Sequence, residues 1–261
     1  MPEAFFLVGP TASGKSAVAQ YIAEREGQLI LSADSMNLYR GMDIGTAKPS
    51  AAERAKVDYT GIDMCGPDEK FSVAAYLDAV RPAFEAGRDI IVTGGTGLYV
   101  KCLTEGFDDV PPGNEKLRAE LEALDVAILA KRARKEAPEL YSQLTGDDRR
   151  NPRRLIRILE REVPSDGKWN SKAKPVLVGL HVERAQLHQR IEERVDRMYA
   201  AGLLDEARAL IDRDLSPTAL QAIGYAEAFA VLRNEMTLTQ ARERTIIRTR
   251  QLAKRQMTWF R

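Results

Sequence analysis

An eight-residue segment near the start of the chain matches the pattern G-x-x-x-x-G-K-[ST] and directly follows the apolar run 5–8. The segment consists of Gly9, Pro10, Thr11, Ala12, Ser13, Gly14, Lys15 and Ser16. A strand that enters a glycine-rich turn and then a helix directs backbone N–H groups and a helix dipole at one point. Such a point binds a phosphate or diphosphate, with Lys15 supplying charge and the Ser16 hydroxyl a ligand for Mg²⁺. The segment predicts a polyphosphate site and leaves the identity of the polyphosphate open.

Strands and helices alternate through the first third of the chain. We predict strands over 5–8, 29–32 and 89–93, with helices over 13–25 and 72–87 between them. This alternation is typical of a doubly wound α/β core, in which active sites lie at the carboxyl ends of the strands. We therefore predict a P-loop NTPase-like parallel sheet flanked by helices, with functional residues in the loops that follow these strands.

A helical segment interrupts this pattern and divides the chain into three parts. Residues 1–110 form the first part of the P-loop α/β core, which a Pro-Pro-Gly run leaves at 111. We predict that residues 111–166 form a smaller all-helical insertion domain. Residues 167–261 return to the core with a strand over 175–180 and end in basic helices.

The composition excludes several classes of protein and site. No apolar stretch approaches the roughly 20 residues of a membrane span, and no basic leader precedes the first strand, so we expect a cytoplasmic protein without a membrane partner. Cys65 and Cys102 lack metal-ligand spacing, and we expect free thiols. Only two histidines, His181 and His188, are present, which disfavours a zinc site or a Ser-His-Asp triad.

Two of the predicted loops carry polar side chains suited to chemistry. Asp34 follows the second strand, where a carboxylate can bind Mg²⁺ or accept a proton, and capping a turn is the alternative role. The strand over 89–93 leads into Thr-Gly-Gly-Thr and offers no carboxylate, whereas an ordinary ATPase needs an acid that orders the attacking water. Thr96 stands there instead, between glycines that allow close approach of the backbone.

Basic residues concentrate in two blocks. From 241 to 261, seven basic residues stand against Glu243 alone, and 145–174 holds nine basic and five acidic residues. On the C-terminal helix, one stripe consists of Arg244, Arg248, Gln251 and Arg255. The opposite face consists of Ile246, Ala253, Met257 and Phe260. We predict that the apolar face packs while a row of guanidiniums faces outward, and the blocks favour a polyanionic partner larger than a nucleotide.

Seven segments, in order, resemble the tRNA dimethylallyltransferase (tRNA isopentenyltransferase) family. They are GPTASGKS at 9–16, DSMNLYRGMDIGTAKP at 34–49, GGTGLY at 94–99, RVDRM at 194–198, GLLDE at 202–206, QAIGY at 221–225 and TRQLAKRQMTWFR at 249–261. The segments span nearly the whole chain. The first is common to many families, whereas MDIGTAKP and KRQMTWFR are highly specific.

The resemblance implies transfer of a dimethylallyl group from dimethylallyl diphosphate to N6 of adenosine 37 of tRNA. The phosphate-binding loop then holds the prenyl diphosphate in place of ATP. The catalytic residues that the resemblance implies are Asp34, which takes the N6 proton, Arg194, which stabilises the diphosphate, and Thr96, which maintains the site geometry. Lys15 and Ser16 with Mg²⁺, the implied cofactor, also stabilise the departing diphosphate.

The resemblance also implies that the helical insertion clasps the anticodon stem-loop of tRNA. The implied tRNA contacts are Asp34, Ser35, Met36, Asn37, Thr96, Arg118, Arg153, Arg154, Arg157, Gln221, Arg248, Lys254 and Arg255. Asn37 stands where many members of the family carry Gln. Longer members continue beyond the position of Arg261, so we expect part of the usual tRNA contact to be absent. We expect a monomer.

Three other functions remain open on the residues alone. A P-loop small-molecule kinase would share the strand order and Lys15, but it would not require the two basic blocks. An RNA-stimulated ATPase would release phosphate without transferring a group. A prenyltransferase acting on free adenine nucleotides is disfavoured by the basic helices.

Overall fold

The computed structural model describes residues 4–106, 114–160 and 175–260, and these contain one five-stranded parallel sheet. Its strands are β1 (Ala4–Val8), β2 (Leu29–Ser32), β3 (Tyr59–Thr60), β4 (Ile90–Gly94) and β5 (Val176–Gly179). They lie in the order β3-β2-β4-β1-β5, and each neighbouring pair is parallel. The predicted fold class is thereby confirmed.

Four helices accompany the first strands. They are α1 (Lys15–Glu26), α2 (Ala51–Arg54), α3 (Val73–Glu85) and α4 (Gly97–Glu105). The small side chains of Ala19 and Ala23 on α1 pack against Leu7, Ile30 and Ile91 of the three central strands. All five side chains are almost completely buried, so apolar burial of this face stabilises the sheet beneath the phosphate-binding loop.

The residues described in the insertion form a separate helical unit. Its helices are α5 (Glu115–Glu122), α6 (Val126–Glu136), α7 (Pro138–Ser142) and α8 (Pro152–Leu159). The unit has its own core, centred on Leu121, Leu129 and Leu155. The predicted boundaries at 110/111 and 166/167 lie outside the described residues.

Five further helices follow β5 in the larger unit. They are α9 (Arg184–Ala200), α10 (Leu203–Arg208), α11 (Pro217–Leu220), α12 (Tyr225–Leu232) and α13 (Leu238–Trp259). Ile246 and Ala253 of α13 pack with Ile191 and Val195 of α9, and Met257 packs partly buried against them. This confirms three of the four residues of the apolar face predicted for the C-terminal helix. Within the described ranges, no helix combines the length and apolar character needed to cross a bilayer.

Three elements depart from the predicted pattern. The two-residue strand β3 and the one-turn helix α2 are too short to produce a periodic apolar signal. Helix α4 begins at Gly97, within a glycine-rich stretch typical of a loop. Buried Tyr99, Val100 and Leu103 nevertheless have the spacing of one helix face, so this helix was detectable.

Candidate active site

The loops that follow β1, β2 and β4 meet at one edge of the sheet. Val8 pairs with Gly94 and Ser32 pairs with Thr93, so the three strands end at the same level. Beyond the strands, the backbone N–H of Thr96 donates to the Ala33 carbonyl at 3.1 Å. The predicted convergence of the loops is therefore confirmed.

The phosphate-binding loop (residues 9–16) leads into α1, whose first turn has no side-chain cap. The first N–H groups of a helix have no partner inside the helix, and without a cap they can bind an anion. Lys15 is the first residue of α1 and is buried, with Nζ donating to the Pro10 carbonyl at 3.2 Å. Burial lowers the pKa of Lys15 to about 8, although the negative charge of Asp34 acts in the opposite direction.

Six of the predicted site residues line a single small cavity, namely Thr11, Lys15, Ser16, Asp34, Asn37 and Arg194. Lys15, Asp34 and Arg194 come from three different segments, and the cavity has a volume of about 60 Å³. Thr93 also lines it, and the side-chain oxygens of Asn37 and Thr93 are buried without a hydrogen-bond partner in the described part of the chain. Buried polar atoms of this kind indicate a site for a polar ligand.

A larger open cleft, with a volume of about 900 Å³, shares Lys15, Ser16 and Arg194 with the small cavity. Arg190 and Arg197 line this cleft but not the small cavity. Without the family resemblance, the residue pattern does not distinguish Arg194 from these two arginines. The structure does, because only Arg194 of the three lines the cavity that also holds Asp34.

The position of Asp34 is compatible with both roles considered for it, which are capping a turn and acting on a ligand. Its Oδ1 accepts the Met36 N–H at 2.9 Å, which caps the turn after β2. Its other oxygen takes no part in that hydrogen bond and is available to a ligand. Thr96 secures the next residue, since its Oγ1 accepts the Ser35 N–H at 3.0 Å. Thr96 therefore maintains the position of the Asp34 loop through the backbone.

Arg194 is held by the loop that precedes α2. Its Nη2 donates to the Thr46 carbonyl at 3.4 Å. Burial lowers the pKa of the Arg194 guanidinium from its usual value, while the charge of Asp34 opposes this shift. The arrangement places two cations and one carboxylate around the small cavity, so it can bind an anion next to a proton acceptor.

A carboxylate network that sequence reasoning missed holds this loop in place. Glu206 accepts the backbone N–H groups of Asp43, Ile44 and Gly45 at distances from 3.0 to 3.4 Å. The Tyr225 hydroxyl donates to Glu206, and its oxygen accepts the Gly45 N–H at 3.2 Å. A Cβ at residue 45 would lie less than 3.0 Å from the Tyr225 ring, so glycine is required there. Contacts of Gly45, Glu206 and Tyr225 thus join three family-like segments, at 34–49, 202–206 and 221–225.

Lys48 belongs to a second network at the same loop. Its Nζ donates to Asp43 at 2.7 Å and Asp63 at 2.6 Å, and the side chain is buried. Burial would raise the pKa of Asp63, but hydrogen bonds from Lys48 and Arg54 outweigh it and hold this pKa below its usual value. The charge of Lys48 is therefore balanced by carboxylates of the chain itself.

The outward row of guanidiniums predicted for α13 is wrong at Arg248. Its Nη1 donates to Glu227 at 2.6 Å, and its Nη2 donates to the Gln221 carbonyl at 2.8 Å. Glu227 comes from α12 and is not visible in the periodicity of α13. Lys254 and Arg255, in contrast, are exposed and form no ion pair within the described ranges. The predicted tRNA contacts of Gln221 and Arg248 stay predictions.

We expect Arg248→Met to destabilise the protein. Glu227 has a side-chain exposure of 1%, and among the described residues Arg244, at 3.7 Å, is the ion-pair partner that remains after the substitution. A buried acceptor that loses its close partner costs about 1–3 kcal/mol. Urea unfolding should show this loss, and Arg255→Met, which breaks no ion pair with any residue that the structure describes, should not. Equal stability of the two variants would contradict the structural role of Arg248.

The arginines predicted to bind tRNA on the helical unit differ in their partners. Arg118 forms a two-point ion pair with Glu160, with both N–O distances at 2.7 Å. Arg157 lies 3.9 Å from Glu160, and Arg154 lies 3.6 Å from Asp148. Arg153 is exposed. Their contacts with tRNA stay predictions.

The parallel sheet, the uncapped helix after a phosphate-binding loop and the adjacent carboxylate define a P-loop α/β protein. The sequence family described as "IPP transferase" matches residues 37–261, and the one described as "isopentenyl transferase" matches residues 2–64. The tRNA dimethylallyltransferase of Pelotomaculum thermopropionicum is 39% identical over 98% of this chain and 86% of its own length. The chain belongs to the tRNA dimethylallyltransferase family.

Solved structures agree with this membership. The tRNA isopentenylpyrophosphate transferase of Bacillus halodurans superposes with a TM-score of 0.72 at 38% identity, over 100% of this chain and 87% of that one. A eukaryotic dimethylallyltransferase acting on tRNA superposes with a TM-score of 0.81 at 23% identity, over 99% and 70% of the two chains, which shows a shared fold.

Proposed function

We propose that this protein transfers a dimethylallyl group from dimethylallyl diphosphate to N6 of adenosine 37 in the tRNA anticodon loop. The observation that carries the proposal is the small cavity, in which Lys15 and Arg194 stand beside Asp34. Cations suit a departing diphosphate, and a carboxylate suits an amine that loses a proton. Family membership supports the same reaction.

The proposed reaction is a substitution at the first carbon of the dimethylallyl group. The bond from this carbon to the diphosphate oxygen breaks, and the electron pair leaves with the diphosphate toward Lys15 and Arg194. A bond from the same carbon to N6 forms, and the N6 proton passes to Asp34. The adenine leaves its base stack to reach the cavity, which costs a few kcal/mol. The unpartnered side-chain oxygen of Asn37 offers an acceptor for the N–H groups of this adenine.

The residues of the phosphate-binding loop fit Mg²⁺ as a cofactor. Mg²⁺ prefers oxygen ligands and usually retains waters while binding one or two protein groups and substrate phosphates. Ser16 is exposed in the open cleft, next to Lys15, and its hydroxyl is the protein ligand that we propose. Bound there, the ion would neutralise diphosphate charge. Among the described residues, no cluster of three or more His, Cys, Asp or Glu offers a competing metal site.

The proposal includes the anticodon stem-loop as the bound RNA element, a monomeric enzyme and a cytoplasmic setting. Two free, buried thiols, Cys65 and Cys102, support a reducing compartment.

One labelling experiment tests the proposed function. The protein is incubated with radiolabelled dimethylallyl diphosphate, Mg²⁺ and one acceptor: unmodified tRNA, the same transcript with guanosine at position 37, or AMP. We expect label only in the tRNA that carries adenosine 37. Label in AMP would indicate an enzyme acting on free nucleotides. ATP turnover without alkylation, whether RNA-stimulated or not, would reject the proposal.

We expect the double variant Lys254→Ala/Arg255→Ala to bind tRNA more weakly and with less salt dependence. Both side chains are exposed on α13 without an ion pair in the described part of the chain. Each phosphate contact removed should reduce the slope of log K against log salt by about 1. Binding titrations at several salt concentrations measure the slope, with Arg88→Ala, which removes a cation already paired with Asp58, as the control. A slope equal to that of the unmodified protein would exclude Lys254 and Arg255 from the RNA interface.

A further inference from the structure

One buried side chain near the end of α13 contacts two loops of the candidate active site. Gln256 is 6% exposed. Its Oε1 accepts the backbone N–H of Thr11 at 2.7 Å, and its Nε2 donates to the Gly95 carbonyl at 3.0 Å. A single amide group thus joins the phosphate-binding loop after β1 to the loop after β4.

The loop after β4 has the shape needed to admit α13. A Cβ at Gly95 would lie less than 3.0 Å from the amide nitrogen of Gln256. A Cβ at Gly97 would lie less than 3.0 Å from the indole ring of Trp259. The close approach of the helix therefore leaves no room for a Cβ at either glycine unless Gln256 or Trp259 shifts, and Thr96 lies between them.

The contacts of Thr96 extend this connection to the carboxylate. Thr96 Oγ1 accepts the Ser35 N–H at 3.0 Å, and the Thr96 N–H donates to the Ala33 carbonyl at 3.1 Å. Asp34 lies between these two anchored residues. A continuous series of contacts therefore runs from the diphosphate loop through Gln256 and the Gly95 loop to Asp34.

We propose that Gln256 is a positioning residue that sets the spacing between the diphosphate site at Lys15 and the amine site at Asp34. The inference rests on the proposed function, because only a transfer between the two sites depends on their separation. Substitution at carbon requires the entering nitrogen and the leaving oxygen to be aligned on the reacting carbon. Displacement of a reacting group by about 1 Å can slow such a step by about 100-fold.

The test is a variant of similar length without hydrogen-bonding groups, Gln256→Met. We expect kcat to fall by about 100-fold, while the dissociation constants for dimethylallyl diphosphate and tRNA change by less than about threefold, because each loop keeps its own binding groups. Thr249→Ala is the matched control. Thr249 is buried on the same helix, and its hydroxyl donates to the Thr245 carbonyl of that helix and to neither loop.

Thermal melting separates positioning from simple stabilisation. We expect Gln256→Met to lose far more kcat than Thr249→Ala at an equal fall in Tm. Gln256→Glu is the second variant. If the Met variant does not fold, the Glu variant alone tests the role of Gln256. It keeps an acceptor for the Thr11 N–H but places a carboxylate oxygen against the Gly95 carbonyl, so kcat should also fall. The added negative charge beside the phosphate-binding loop should also weaken diphosphate binding, so the dissociation constant for tRNA is the one expected to hold.

Two results would overturn the inference, and they are distinguishable. If the unmodified enzyme alkylates tRNA and the Gln256 variants keep kcat within about threefold, or lose only affinity, Gln256 is not a positioning residue. If the unmodified enzyme does not alkylate tRNA in the same assay, the proposed function fails, and this inference fails with it.

Discussion

Replacing Asp34 by Asn should reduce the rate of dimethylallyl transfer by about 10²–10⁴-fold, the range expected for loss of a general base. The amide oxygen can still accept the Met36 N–H, so the turn after β2 should persist. The variant therefore removes the proton acceptor without removing the cap. Single-turnover transfer to tRNA measures the rate, and tRNA binding should change by less than about threefold.

The pH of this experiment matters because Asp34 also acts on Lys15. The negative charge of Asp34 raises the pKa of Lys15, so its removal lowers that pKa below about 8. At pH 7 or below, the lysine charge is best preserved in both proteins. Asp78→Asn, which removes an exposed carboxylate on α3, is the matched control. A fully active Asp34→Asn enzyme would exclude Asp34 as the base.

Replacing Lys15 by Met should reduce the affinity for dimethylallyl diphosphate by about 100-fold, since a cation and a charge-assisted hydrogen bond are lost. In the unmodified protein, the diphosphate binds the charged lysine and raises its pKa. Affinity should therefore fall by about tenfold per pH unit above about 8, where the free protein loses this proton. Calorimetry at pH 8.5 in buffers of different ionisation enthalpy should show proton uptake. Affinity that does not vary between pH 8 and 10 would contradict this assignment.

Lys15 should lower the free energy of unfolding of the ligand-free protein relative to that of a variant without this lysine. Its pKa falls from 10.5 in the unfolded chain to about 8 in the folded protein, so the unfolded chain holds the proton between these values. Stability from this group is lowest below pH 8 and rises toward pH 10.5, by about 3 kcal/mol in total. Lys15→Met should unfold at higher urea concentration at pH 7 and lack this pH dependence. Lys56→Met, which removes an exposed lysine, should do neither.

The elements that sequence reasoning predicted well are those with a local physical cause. The helix predicted from Ser72 is present as α3, because the Ser72 hydroxyl accepts the Ala75 N–H. The strand over 89–93 is present as β4, because a continuous apolar run suits the middle of a parallel sheet. The predicted start of α1 at Ser13 differs from the observed start at Lys15, with Gly14 as N-cap. Boundaries of this kind depend on backbone geometry that side-chain patterns do not specify.

The site residues also divide into those with a local sequence signal and those without one. The phosphate-binding loop and Asp34 were identified from their places after strands, and the structure places Lys15 and Asp34 on one cavity. The roles of Glu206 and Gln256 were not identified, because each acts on backbone groups more than 150 residues away in the chain. No local pattern carries that information. The glycines at 45 and 95 were the available signal, since each marks a point where another segment approaches the backbone.

The sequence by itself determined the fold class, the phosphate-binding loop and the family, because strand order, turn residues and contiguous motifs are local properties. The tertiary structure alone decided which charges are available to a ligand. Arg248 is paired with Glu227 of α12 and Lys48 is paired with Asp43 and Asp63, while Arg194 shares a cavity with Asp34. The physical reason is that the electrostatic effect of a charge depends on its distance from other charges and on its exposure to water, and folding sets both.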